Sequence, residues 1–132
     1  MAHNLTSAEI RKMYDFLYKF EKKIKDTQQK DAVVIPNLDV FCQTNDIYNN
    51  CNNKSNRVEA NKHQGYFLYR EFSQQNGVYH FIRHIRNAIA HGSVIYKEKE
   101  KAIYLNDKTR GMCGKIPKSL IVPLFKLLYT MN

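Results

Sequence analysis

Arg86, Asn87 and His91 stand together in one short stretch, RNAIAHG, and His80 and His84 precede them. Projected at about 100° per residue, Val78 to His91 puts Phe81, Ile82, Ile85, Ala88 and Ile89 on one side of a helix, with His80, His84, Asn87 and His91 on the other. Arg83 flanks that polar stripe and Arg86 lies further round. Imidazoles exchange protons near neutral pH, and guanidinium groups hold a permanent charge with forked donors, so this combination suits an anionic substrate and a proton transfer. Arg86 and His91 do not share a face, so they converge only where the helix ends or where a second chain contributes. A two-fold arrangement, in which one surface meets itself, would line a single cleft with two copies of each. Metal chemistry has less behind it. His80 and His84 have four-residue spacing, but no Asp or Glu lies between Glu71 and Glu98, and neither HExxH nor paired cysteines complete a recognised site, so no metal or other cofactor is expected. A purely structural role is also open: basic residues near a helix C-terminus complement its dipole, and Gly92 is a natural residue just past such an end.

The RNAIAHG wording resembles the Arg-polar-x-x-x-His signature of the HEPN superfamily, here Arg86, Asn87 and His91. A looser arginine-to-histidine spacing recurs at Arg57 and His63, so the full wording and its helical setting carry the resemblance, over roughly Phe72 to the C-terminus. Ser93 stands two residues beyond the histidine, where some members carry a tyrosine. The resemblance implies a mainly α, HEPN-like helical bundle with a short β-hairpin after the motif helix and a C-terminal helix. It implies a metal-independent endoribonuclease, often dimeric through the motif helix and often part of toxin–antitoxin or anti-phage defence, with RNA as substrate and an antitoxin or inhibitor protein as partner. His91 would transfer the proton as the RNA 2′-hydroxyl attacks phosphorus, Arg86 would hold the phosphate oxygens, and Asn87 would position substrate or the facing histidine. Arg83 and His84 would contact RNA. The alternative within the family is an inactive dimer that binds nucleic acid or a protein; a third reading is an interaction module whose basic surface meets an acidic antitoxin.

The elements that must position these residues are partly legible. Thr6 and Glu9 form a capping box with Leu5 and Ile10 as staple, and Ile10, Met13, Tyr14, Leu17, Phe20 and Ile24 recur at helical steps, predicting a helix from about Ser7 to Lys25. DTQQKD reads as a loop; AVVIPNLDVFCQ fits a short strand or the approach to a helix, with Pro36 forbidding an uninterrupted one. Asn45 to Asn56 is asparagine-rich and predicts a mobile loop. Arg57 to Gln74 predicts a third helical segment with Tyr66, Phe67, Tyr69 and Phe72 on its apolar side, ended by the Asn76-Gly77 turn. After the motif, Val94 to Tyr96 and Ala102 to Leu105 predict a hairpin, Gly111 and Gly114 a turn-rich segment, and Leu120 to Met131 a final helix that accommodates Pro123.

Composition bounds the rest. The 132 residues suffice for one core, so residues 1–132 are read as a single domain. With 43% hydrophobic and 25% charged residues, neither global disorder nor a membrane protein is favoured, and the longest apolar run, Leu120 to Phe125, is far below the roughly 20 residues that span a bilayer. With no secretory signal, a cytoplasmic location is expected, and the unpaired Cys42, Cys51 and Cys113 fit a reducing compartment. A net charge of +9 draws polyanions such as RNA. Nine tyrosines and seven phenylalanines are read as core or interface, and none is assigned to RNA.

Overall fold

Thr6 starts the first helix as expected. Its hydroxyl accepts from the Glu9 backbone N–H at 3.2 Å while the Glu9 carboxylate accepts from the Thr6 N–H at 2.7 Å, which satisfies two orphan donors at once. In this computed structural model, which describes residues 5–26, 28, 32–51, 57–69, 77–107 and 111–131, helix α1 runs over Ser7–Lys19 and continues as a wider π turn, Phe20–Ile24. Then follow α2 (Leu38–Thr44), β1 (Ile47–Cys51), α3 (Arg57–Ala60), β2 (Gly65–Tyr69), α4 (Gly77–Ala90), β3 (Val94–Lys97), β4 (Ala102–Asp107), β5 (Met112–Pro117), a short 3₁₀ turn (Lys118–Leu120) and α5 (Ile121–Leu128).

The five strands form one mixed sheet in the order β1-β2-β5-β4-β3, parallel between β1 and β2 and antiparallel elsewhere. The expected mainly α bundle is therefore corrected to an α+β fold. The motif helix, the hairpin (β3 and β4) and the last helix lie where the sequence placed them; the corrections concern the strands between. All five residues of β2 are buried, Phe67 and Tyr69 in the helical core and Tyr66 and Leu68 in a second cluster on the opposite face, so the segment lacks the clean alternation that marks a strand and its sequence resembles a helix. Residues 70–76 of that expected helix and turn lie outside the described residues. Within the expected asparagine-rich loop, Ile47–Cys51 instead pairs with β2, Ile47 beside Gly65 and Tyr48 beside Tyr66, so the ladder takes up backbone groups the asparagines were expected to claim; residues 52–56 lie outside the description, as does most of DTQQKD. Gly114 belongs to a central strand rather than a turn. A Cβ there would come within 2.9 Å of both the Leu105 carbonyl oxygen and the Phe67 ring, so glycine is required by close packing.

One sheet face carries the core. α4 lies against β4, and α1 packs on α4 and α5, around Phe16, Phe20, Phe67, Phe81, Leu105 and Phe125. Pro123 sits in the first turn of α5, where its missing N–H has no intrahelical acceptor to lose. The other face bears α3 and a small cluster of Ala60, Tyr66 and Leu68 with Tyr48 and Cys113. Cys42 is buried, and that burial, with Asp39 nearby, pushes its thiol up to about 11 against a smaller opposing effect of an Asn49 hydrogen bond, which disfavours the thiolate at neutral pH. Among the described residues no helix is long and apolar enough to cross a membrane.

Candidate functional site

The end of α4 is built by local rules. His91 is its C-cap, donating its N–H to the Asn87 carbonyl at 3.0 Å; Gly92 follows at φ +69°, and the N–H groups of Gly92 and Ser93 reach back to Ile89 and Ala88 at 3.1 and 2.8 Å. That is the paired bonding of a Schellman end, and it leaves the His91 side chain exposed at the tip of the helix. Alanine at position 92 would meet nothing within 4 Å, so any penalty is conformational alone. We expect Gly92→Ala to cost about 1 kcal/mol, read as a lower denaturation midpoint at unchanged slope, and Gly92→Asn to cost less.

The rest of the motif faces inward. Arg86 Nε donates to Glu21 Oε1 at 2.6 Å and Nη1 donates to Asn87 Oδ1 at 2.9 Å. Asn87 Nδ2 donates to Asp107 Oδ2 at 3.0 Å, and the same oxygen lies 2.9 Å from His84 Nδ1. Only one orientation of the Asn87 amide serves both neighbours, oxygen to the guanidinium and nitrogen to the carboxylate, and a carboxylate acceptor places the hydrogen of His84 on Nδ1. The chain Glu21–Arg86–Asn87–Asp107–His84 thus ties the π turn after α1, the motif helix and the end of β4 together. Its inner members are sealed off: the His84 side chain is 2% exposed and that of Asp107 0%. The Tyr69 ring lies 5.7 Å from that of His84, and His84 Nε2 has no hydrogen-bond partner among the described residues.

Arg86 and Asn87 are therefore brought together, and His84 joins them through Asp107 rather than reaching toward solvent; its expected RNA contact does not fit this placement. Arg83 is half-buried, and no ion pair joins it to another described residue. His80 is buried against Tyr79. His91 stays apart, since five residues of helix rotate it by about 140° from Arg86. No group of three or more His, Cys, Asp or Glu side chains arranged to hold a metal occurs among the described residues.

Two members of the network, Glu21 and Asp107, were not singled out from the sequence, although each leaves a trace there. Asp107 continues the inward alternation of Ile103 and Leu105 by one step beyond where the hairpin strand was ended. Glu21 falls on the same helical face as Ile10, Leu17 and Ile24, an acid on an apolar stripe. Burial by itself would raise the Glu21 carboxyl, but hydrogen bonds and charges from Arg86 and Lys25 outweigh it and hold the group below its usual range. A carboxyl depressed in the folded state adds stability above its unfolded value, near about 4.3, and loses it as pH falls through the folded value. Glu21→Gln should accordingly lower stability at neutral pH by no more than about 1 kcal/mol, because the pair is partly exposed and screened by water, and the difference from wild type should close in acid. Parallel denaturation curves across pH check this; a gap that widens in acid would contradict it.

No protein-family model, curated protein or solved structure matches this chain.

Proposed function

We propose that the chain is a metal-independent endoribonuclease using HEPN-type chemistry, active as a homodimer in which two motif helices share one cleft. The observation that carries this reading is the end of α4: a solvent-exposed imidazole at the C-cap, and one turn earlier a guanidinium fixed by Glu21 and Asn87. The net charge of +9 supports an anionic substrate. In the proposed reaction the RNA 2′-oxygen bonds to phosphorus as His91 takes its proton. The bond to the 5′-oxygen breaks as the second copy's histidine supplies a proton to that leaving oxygen, and Arg86 neutralises charge on the non-bridging oxygens. Because Arg86 and His91 point apart along one helix, a second copy is what brings the two kinds of group to one phosphodiester. The test is incubation of the purified protein with mixed single-stranded RNA in excess chelator: cutting that persists supports the reading, and cutting that stops, or none with or without metal, opposes it.

The Glu21–Arg86 pair favours a second reading, a non-catalytic domain that binds nucleic acid or a protein and uses Arg86 as a strut between α4 and the turn after α1. Under that reading RNA binds in a salt-dependent way and is recovered intact.

A further inference from the structure

We propose that the sheet face turned away from the helical core is a platform for single-stranded RNA, with Tyr104 stacking on a base and Lys97 and Lys101 meeting the phosphates beside it. The register places Tyr48, Tyr66, Lys115, Tyr104 and Ile95 side by side in one row across all five strands, on the face opposite Phe67, Leu105 and Ile116. Tyr66 is buried, while Tyr48 and Tyr104 are half-buried, three strands apart and so about 14 Å from each other. Tyr48 already stacks on the His63 ring, centroids 5.2 Å apart and planes 15° from parallel. Tyr104 is held differently. Its hydroxyl donates to Glu100 Oε1 at 2.6 Å, which fixes the ring, and ammonium groups stand over it, Lys97 Nζ at 4.4 Å and Lys115 Nζ at 5.9 Å from the centroid. Lys97 is exposed, so its ammonium can exchange the ring for a phosphate when a base takes its place.

At the hairpin end of the sheet, a cleft of about 530 Å³ is lined by Lys101, Lys115 and Lys118 together with Glu9 and Glu100. The two carboxylates are matched by Lys118 at 3.2 Å and Lys115 at 3.4 Å, which leaves Lys97 and Lys101 as surplus positive charge around the row. A fixed aromatic ring beside exposed lysines suits unpaired bases on a polyanionic backbone; a duplex keeps its bases stacked on one another and offers no face to Tyr104. An acidic protein surface would use the lysines but not the ring.

Affinity is measured with a labelled 2′-O-methyl oligonucleotide, whose blocked 2′-oxygen prevents cleavage by the reaction proposed above, so platform and nuclease stand or fall separately. We expect Tyr104→Ala to weaken binding about tenfold and Tyr104→Phe, which keeps the ring, to stay within about twofold of wild type. Replacing Lys97 and Lys101 by alanine should lower the slope of log affinity against log salt by about 1.4, about 0.7 for each phosphate contact to a single strand. A duplex of equal length should bind at least about tenfold more weakly than the single strand. The platform is overturned if Tyr104→Ala binds as wild type does, if the duplex binds equally well, if the salt slope is unchanged in the double lysine variant, or if polyglutamate of equal charge competes as strongly as the oligonucleotide. Lys97→Ala alone, at an exposed position that cannot unfold the sheet, must still weaken binding if Tyr104→Ala fails to fold.

Discussion

If the proposed reaction is right, alanine at His91 should lower RNA cleavage by at least about a hundredfold while leaving the stability within about 0.5 kcal/mol of wild type. The first figure is the usual loss when a proton-transfer group is removed; the second follows because the side chain is exposed at the helix tip and the Schellman bonds around it are made by backbone alone. Arg86→Ala should lose activity on the same scale, since an oriented donor to developing charge accounts for about 10²–10³ in rate. Unlike His91→Ala, it should also destabilise by about 1–2 kcal/mol, because Glu21 keeps only Lys25 of its two cations and the Asn87 amide oxygen loses its donor. Arg86→Lys separates the two effects: it keeps the charge and part of the stability but loses the fork that engages two partners, so activity falls further than stability. Cleavage assays beside denaturation curves check all three, and a His91→Ala protein that cuts at the wild-type rate removes this histidine from the chemistry.

How far this was legible from the residues depends on the range of the interactions involved. The capping box at Thr6 and Glu9, the amphipathic α4, its glycine-terminated end and the Val94 hairpin are set by neighbours within a few positions, and they lie where local pattern places them. The fold class is not legible locally because β2 and β5 are central strands whose character comes from partners far away in sequence: Phe67 packs over Gly114, and Tyr66 pairs with Lys115. The motif residues stand out in the sequence, but their surroundings do not, because nothing near the polar stripe on α4 announces that Asp107 arrives from the hairpin to cover it. Of the residues assigned to RNA, His84 lies in that covered interior.

Asp107→Ala should be the most destabilising single change in the site, at about 3 kcal/mol or more. One oxygen of this carboxylate takes hydrogen bonds from both His84 and Asn87 in a region without water access, and each hydrogen bond to such a group contributes about 1.5–3 kcal/mol. Removing the acceptor leaves two buried donors unpaired and frees the amide that orients Arg86. Urea denaturation should show a lower midpoint with unchanged slope. His84→Ala in the Asp107→Ala background should cost less than it does alone, with a coupling of about 1–3 kcal/mol, because both act through the same contact. Strictly additive losses would mean that the two side chains do not depend on each other.

The ends of the RNA fragments test the central claim most directly. Attack by the 2′-hydroxyl, with no metal-held water, must leave a 2′,3′-cyclic phosphate on one fragment and a 5′-hydroxyl on the other. Mass spectrometry of fragments produced by the wild-type protein in chelator should find that pair, absent from His91→Ala digests; a 3′-hydroxyl with a 5′-phosphate would contradict the assignment.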